Sequence, residues 1–236
     1  HDGWLRGLKI VADDSSSTQL ITFSAHATSI SKKSLSLSGD YPAALVDQIE
    51  EQQNSSGMFM AGMVGSHRLA GLDDTDFDLV SKAGVALSKK ILNASYDPAS
   101  DSIEIRAAHI PIQFGPSQLR ITKKWKLRNW VFNLLLDPLQ GELTYLQLGN
   151  IILIGTPCDF SGELSVTHKL NELAAFNNQH LIITSFNGDY AGYITEDEHY
   201  DQVEKEEVMA MNWVGPFYGN YFSEMISALI NKPQAR

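Results

Sequence analysis

The sequence predicts a mixed α/β fold, a mixed sheet with flanking helices. Three observations carry this. Strand-like apolar runs alternate with segments of helical spacing in the first and last thirds of the chain. The middle, residues 103–154, reads instead as successive strands with a tight turn at Gly149, an antiparallel signature. Finally, 43% hydrophobic and only 19% charged residues give a chain of 236 residues ample core and exclude disorder.

Residues 19–25 are β-rich and apolar, a strand ending at His26. Tyr41-Pro42 opens a helix through Gln52, with Pro in its first turn and Asp40 as candidate cap. Residues 58–64 form a buried apolar strand running into Gly65-Ser66-His67. From Thr75 to Leu92, the residues Phe77, Val80, Ala83, Leu87 and Ile91 recur at helical spacing. Residues 103–110, 142–148 and 150–154 are strands. One helix over 162–176 puts Leu170, Leu173 and Phe176 on a common face, and residues 181–185 make a further strand. A last helix over 218–230 buries Tyr221, Phe222, Met225, Ile226 and Leu229.

Charge removes one function class. Eighteen Lys and Arg stand against 28 Asp and Glu, a net charge of −10, so nucleic acid is not an expected partner. The single cysteine, Cys158, excludes an intrachain disulfide framework. No apolar run approaches the roughly 20 residues that span a bilayer, so no transmembrane segment is expected. Asn54-Ser55-Ser56 and Asn93-Ala94-Ser95 match the glycosylation pattern. Lys123-Lys124-Trp125-Lys126-Leu127-Arg128-Asn129-Trp130 is the one basic, aromatic-interleaved stretch. It suits an anionic membrane surface or lipid entry, but the favoured reading is a helix or loop face with Trp125 and Trp130 packed inward. Arg120 reads as an anion contact or, preferably, as a solvated or salt-bridged surface residue.

Polar residues collect at the carboxyl ends of the apolar strands. If those strands run parallel, His26, Ser66, His67, Asp159, Asp189 and Tyr193 converge on one rim, where open α/β sheets bind ligands. Imidazole, carboxylate and phenol are ligand types that zinc accepts. A hydroxyl beside an imidazole is the raw material of a nucleophile and its base. Each residue also has a plain structural reading: a hydrogen-bonded His at a strand end, Asp159 and Glu163 at the positive end of a helix, Tyr190 and Tyr193 packing a turn. From the residues alone the rim points to a hydrolase and names no substrate.

Several spaced motifs then resemble one group. Phe23-Ser24-Ala25-His26-Ala27-Thr28-Ser29 followed by Leu37-Ser38-Gly39-Asp40-Tyr41-Pro42 resembles the neutral/alkaline non-lysosomal ceramidase family. Gly155-Thr156-Pro157-Cys158-Asp159-Phe160 is similar to that family's small-residue turn carrying an acidic ligand. Asn187-Gly188-Asp189-Tyr190-Ala191-Gly192-Tyr193-Ile194-Thr195, then Glu198-His199-Tyr200 and Gly215-Pro216, follow in the same order. The resemblance implies a zinc-dependent amidase that cleaves the N-acyl bond of a ceramide-like lipid. It implies His26, Asp159 and Tyr193 as zinc ligands. Beside it, the residues themselves make Ser66 and His67 the expected lining of the reaction pocket, and Arg68 and Tyr190 the expected substrate contacts. It further implies a secreted or periplasmic protein.

Three departures qualify the likeness. The family's other histidine lies in an upstream His- and Gly-rich segment absent from this chain, and His1 is no substitute. The expectation is therefore that residues 1–236 are the later part of one catalytic domain, with the upstream fragment of its precursor as a partner. Asp159 stands where characterised members carry the longer Glu. Arg68 occupies the column of the family's serine, leaving Ser66 two places early. Two alternatives stay open: a metal-independent serine esterase using Ser66, and a non-catalytic descendant that binds lipid or glycan.

Overall fold

β-branched and other apolar residues are frequent in Leu5–Val11 (β1) and Ser17–Phe23 (β2), and these strands pair antiparallel from Leu5↔Phe23 to Val11↔Ser17. The computed structural model describes residues 2–53, 55–71, 75–97, 102–122, 124–202 and 206–231. They divide into an amino-terminal unit of residues 3–62 and 67–101, and a carboxyl-terminal unit of residues 1–2, 63–66 and 102–236. His1, Asn54 and Lys123 lie outside the described residues.

In the amino-terminal unit the chain leaves β2, passes through Asp40–Gln53 (α1), and returns as Ser55–Ala61 (β3), parallel to β2. The three-stranded sheet runs β1-β2-β3. Asp76–Leu92 (α2) packs on α1, and Ile21, Tyr41, Leu45, Ile49, Ala83, Leu87 and Ile91 form the core. β1 was not anticipated from sequence. β3 ends earlier than expected and, as an edge strand, leaves Met58 exposed. Phe77, in the first turn of α2, is exposed too. Asp40 is itself the first residue of α1; its carboxylate accepts from Tyr41 N at 2.6 Å and from Ser29 N and Oγ at 2.8 and 2.7 Å.

The carboxyl-terminal unit continues with Ile105–Pro111 (β4), a hairpin of Arg120–Thr122 (β5) and Trp125–Lys126 (β6), and Asn129–Leu136 (α3). Glu142–Leu148 (β7) and Ile151–Gly155 (β8) follow, then Asp159–Phe160 (β9), Gly162–Thr167 (α4) and Leu170–Phe176 (α5). His180–Thr184 (β10), Tyr193–Ile194 (β11), Glu206–Met211 (α6) and Tyr218–Ile230 (α7) complete it. The main sheet is ordered β10-β8-β7-β4. β4–β7 and β7–β8 are antiparallel and β8–β10 is parallel, so the sheet is mixed as expected. Gly149, at φ +59°, makes the β7–β8 turn. Leu143, Ile152, Ile154, Phe160, Leu164, Leu170, Phe222 and Ile226 fill the core.

Several expectations are corrected here. The parallel pairs β2–β3 and β8–β10 belong to different sheets, each flanked by an antiparallel neighbour, so the strands do not form one parallel set. The helix over 162–176 is two helices, broken where Lys169 adopts φ +52°, and Phe176 is exposed. Tyr221 on α7 stands partly in solvent. Trp125 and Trp130 are not packed inward; Phe132 alone is the buried anchor of α3, edge-on to Trp213 with ring centroids 5.7 Å apart. Arg120 is neither a surface residue nor an anion contact, since it is buried, donates to Val208 O at 3.0 Å and stacks over Tyr200. No helix among the described residues is long and apolar enough to cross a membrane.

The helix pair of the amino-terminal unit gives a stability test. A Cβ on Gly84 would lie 2.6 Å from Ala44 Cβ and 2.9 Å from the Ala44 carbonyl carbon. Gly84→Ala should therefore lower the urea midpoint by the equivalent of about 1–3 kcal/mol, although alanine intrinsically favours a helix by about 1 kcal/mol. Ser81→Ala, on the exposed side of the same helix, should be neutral or stabilising. A Gly84→Ala variant as stable as the parent would contradict this close approach.

Candidate functional site

Beyond β8 the small residues Thr156, Pro157 and Cys158 carry the chain sharply into β9, and the loop after β10 closes over them. Thr156 N donates to Thr184 O at 2.9 Å, Asn187 N to Thr156 O at 2.9 Å, and Ala191 N to Pro157 O at 2.7 Å. Asp159 N then donates to Gly192 O and Ser161 N to Ile194 O, both at 3.0 Å, which sets β9 and β11 parallel. Their register pairs Asp159 with Tyr193 and Phe160 with Ile194. Partners in register project to the same face, and successive residues to opposite faces. Phe160 and Ile194 are fully buried in the core, so the carboxylate and the phenol share the other side of the ribbon.

Asp159 is only 1% exposed. Tyr190 Oη donates to its Oδ2. Burial pushes the Tyr190 phenol well above its ordinary value, and the hydrogen bond to Asp159 and that carboxylate's charge act in the same direction. Tyr190 is thus held as a neutral donor. Its ring rests edge-on against Trp213 at 5.2 Å and near Phe186 at 6.0 Å. Asp189 accepts from Gln140 Nε2 at 3.0 Å. Two glycines permit this crowding: a Cβ on Gly192, whose φ is +80°, would lie 2.3 Å from Met211 O. One on Gly65 would lie 2.4 Å from Asp159 O. Gly65 N donates to Phe160 O at 3.0 Å, so exposed Ser66 follows directly on a segment laid against β9. Cys158 is fully buried and burial pushes its thiol up, which removes it from consideration as a nucleophile.

Sequence reasoning missed the tie that fixes the far end of this ribbon. His199 Nε2 meets Glu163 Oε2 at 3.0 Å, and His168 Nε2 lies 4.0 Å from Glu196 Oε2. The two pairs join α4, which follows β9, to the segment that follows β11. Asp197 Oδ1 also accepts from Gly219 N at 3.1 Å in the first turn of α7. The signal was legible only as composition, since Glu163 and Glu198-His199 had drawn notice for other reasons.

In the amino-terminal unit a second group forms. His26 N donates to His67 O at 3.0 Å, and His26 and Arg68 make a parallel bridge. His26 and His67 are half-buried and Arg68 is exposed. Tyr41 Oη donates to Ala25 O at 2.5 Å, holding the turn that presents His26. The sequence-predicted residues therefore gather as His26, His67 and Arg68 in one unit and as Ser66, Asp159, Tyr190 and Tyr193 in the other.

No group of three or more His, Cys, Asp or Glu side chains is placed to hold a metal ion among the described residues. The chemistry of the Asp159–Tyr193 pair is nonetheless compatible with zinc, which accepts carboxylate and charged oxygen donors. The bond from Tyr190 Oη to Asp159 is of the kind that orients carboxylates where they ligate metals.

Among solved structures, the chain is similar to the crystal structure of neutral ceramidase from Pseudomonas aeruginosa, with TM-score 0.74 and 16% identity over 98% of this chain and 47% of that one. A ceramidase complexed with C2 is similar at TM-score 0.73 and 14% identity, over 96% of this chain and 47% of that one. The chain thus spans about half the length of the structures it matches. No protein-family model and no curated protein matches it. The fold is that of the neutral ceramidase structures, and the likeness read from the motifs holds at that level.

Tyr190→Phe tests the buried hydrogen bond. Removing one donor from Asp159 should cost about 1–3 kcal/mol in urea unfolding at neutral pH. The folded-state phenol titrates above its reference value of 10.0, so its proton-linked stabilisation is complete below pH 10 and fades as pH rises beyond it. The gap between parent and variant should be flat from neutrality to about pH 9 and narrow above 10. A gap absent at neutral pH, or widening in alkali, would contradict the bond.

Proposed function

We propose that residues 1–236 are the later part of the catalytic domain of a zinc-dependent amidohydrolase that cleaves the N-acyl bond of a ceramide-like lipid. The observation that carries this is the Asp159–Tyr193 register with Tyr190 donating to Asp159, on a fold shared with neutral ceramidase structures. Asp159 and Tyr193 are the proposed oxygen ligands of the metal, and His26 enters as a ligand through its motif. Zinc, when bound, supplies Lewis-acid polarisation of a carbonyl and a more acidic water.

The chain's own residues do the rest. Tyr190 keeps the Asp159 carboxylate in one orientation and also borders the substrate. Ser66 and His67 line the reaction pocket. Hydrolysis puts the water oxygen on the acyl carbon and a proton on the departing amine, and the His67 imidazole is the proposed carrier of that proton. Arg68 is the proposed contact for negative charge on the substrate. A secreted or periplasmic location and an upstream fragment of the same precursor as partner belong to this reading.

Metal analysis of the full-length protein tests it. Zinc should be present, be lost from Asp159→Asn and His26→Ala, and bind about 10–100-fold more weakly to Tyr190→Phe. Hydrolysis of a short-chain ceramide should fall with zinc content. Parent protein without zinc, or full occupancy in Asp159→Asn, would sink the proposal. Metal-free ester cleavage abolished by Ser66→Ala would move the assignment to a serine esterase, and lipid or glycan binding with neither metal nor turnover to a non-catalytic binder.

A further inference from the structure

We propose that the hairpin β5–β6 and helix α3 form a docking surface for an anionic lipid bilayer. Trp125 and Trp130 would sit at the membrane interface, Leu134 and Leu135 in its apolar margin, and Lys124, Lys126 and Arg128 among the phosphates. Exposed large apolar side chains crowd this stretch of the chain among the described residues. Trp125 is 73% exposed, Trp130 64%, Leu134 75% and Leu135 67%, with Ile121 and Leu136 beside them. α3 carries no charged residue, yet it buries only Phe132. A helix of that composition held by one anchor is an element whose apolar face is left in solvent among the described residues.

Charge identifies the occupant. Across residues 105–136 there is no Asp or Glu, while Arg106, Arg120, Lys123, Lys124, Lys126 and Arg128 all fall there, in a chain of net charge −10. Arg106 is paired with Glu104 and Arg120 is buried. Lys124, Lys126 and Arg128 are exposed and border the tryptophans, Lys126 also reaching Gln118 Oε1 at 2.5 Å. Positive charge and exposed aromatics thus coincide on an acidic protein, which complements an anionic surface and an interfacial belt. A second copy suits the patch poorly, because a two-fold contact would bring like charges together.

Vesicle co-sedimentation of the full-length protein tests this. Phosphatidylserine-containing vesicles should retain the protein in a salt-sensitive way and pure phosphatidylcholine vesicles should not. Tryptophan emission should shift to the blue and be quenched by brominated acyl chains. Charge reversal at Lys124, Lys126 and Arg128 together should weaken partitioning about tenfold or more. Trp125→Ser/Trp130→Ser and, independently, Leu134→Gln/Leu135→Gln should each weaken it with the circular dichroism spectrum unchanged, since all four side chains are exposed. Equal binding to both vesicle types, no binding at all, or a dimer that Trp125→Ser/Trp130→Ser dissociates would overturn the proposal. Neither metal nor turnover enters the assay, so its failure leaves the amidohydrolase reading untouched, and the reverse holds as well.

Discussion

A ribbon of two residues against two brings Asp159 and Tyr193 together in the carboxyl-terminal unit, and such a ribbon has almost no stability of its own. Its few backbone hydrogen bonds contribute about 1 kcal/mol each at best. What fixes it is the other face: Phe160 and Ile194, paired in register, are fully buried among Leu164 and Phe222. Because side chains alternate, core burial of this pair forces Asp159 and Tyr193 onto the opposite side together. A slip of one residue would drive a carboxylate and a phenol into the core and expose two large apolar groups. The register of the polar pair is therefore set by hydrophobic burial.

That arrangement leaves a carboxylate nearly without water, a cost that the fold offsets locally. Tyr190 donates to Asp159, and the phenol's proton is retained because burial and the neighbouring negative charge both oppose its loss. A structural role for Asp159 alone would be met more cheaply by an uncharged side chain. Gly65 and Gly192, both in contacts no Cβ could enter, bring backbone close enough to enclose the group.

Long periodic elements were legible in the sequence. The turn at Gly149 and the bounds of α2, β7 and α7 follow from apolar spacing and one glycine with positive φ. What failed was tertiary. Apolar spacing runs unbroken from Gly162 to Phe176, yet Lys169 turns left-handed and splits the helix, an event without glycine or proline to announce it. Trp125 and Trp130 read as core because aromatic residues usually are, whereas Phe132 takes the only inward position on α3. Asp159 and Tyr193 were visible because small residues and glycines surround them. The bond from Tyr190 was not, since Asp159 lies 31 positions away and only the folded loops bring them together.

In the amino-terminal unit the same distinction separates architecture from chemistry within one motif. Of the two blocks read together, residues 23–29 and 37–42, the second serves the first. Asp40 accepts from Ser29 twice and from Tyr41 N, while Ser38 Oγ accepts from Asp40 N at 2.9 Å. Tyr41 is wholly buried, edge-on to Phe23 and Phe59, and its hydroxyl is spent on Ala25 O. Asp40 and Tyr41 thus have their polar atoms committed to holding the turn after β2. The His26 backbone amide donates to His67 O, which fixes where the residue stands. The two blocks thus act as one local unit: the second supplies buried rings and committed polar atoms, and the first follows the backbone course that they set.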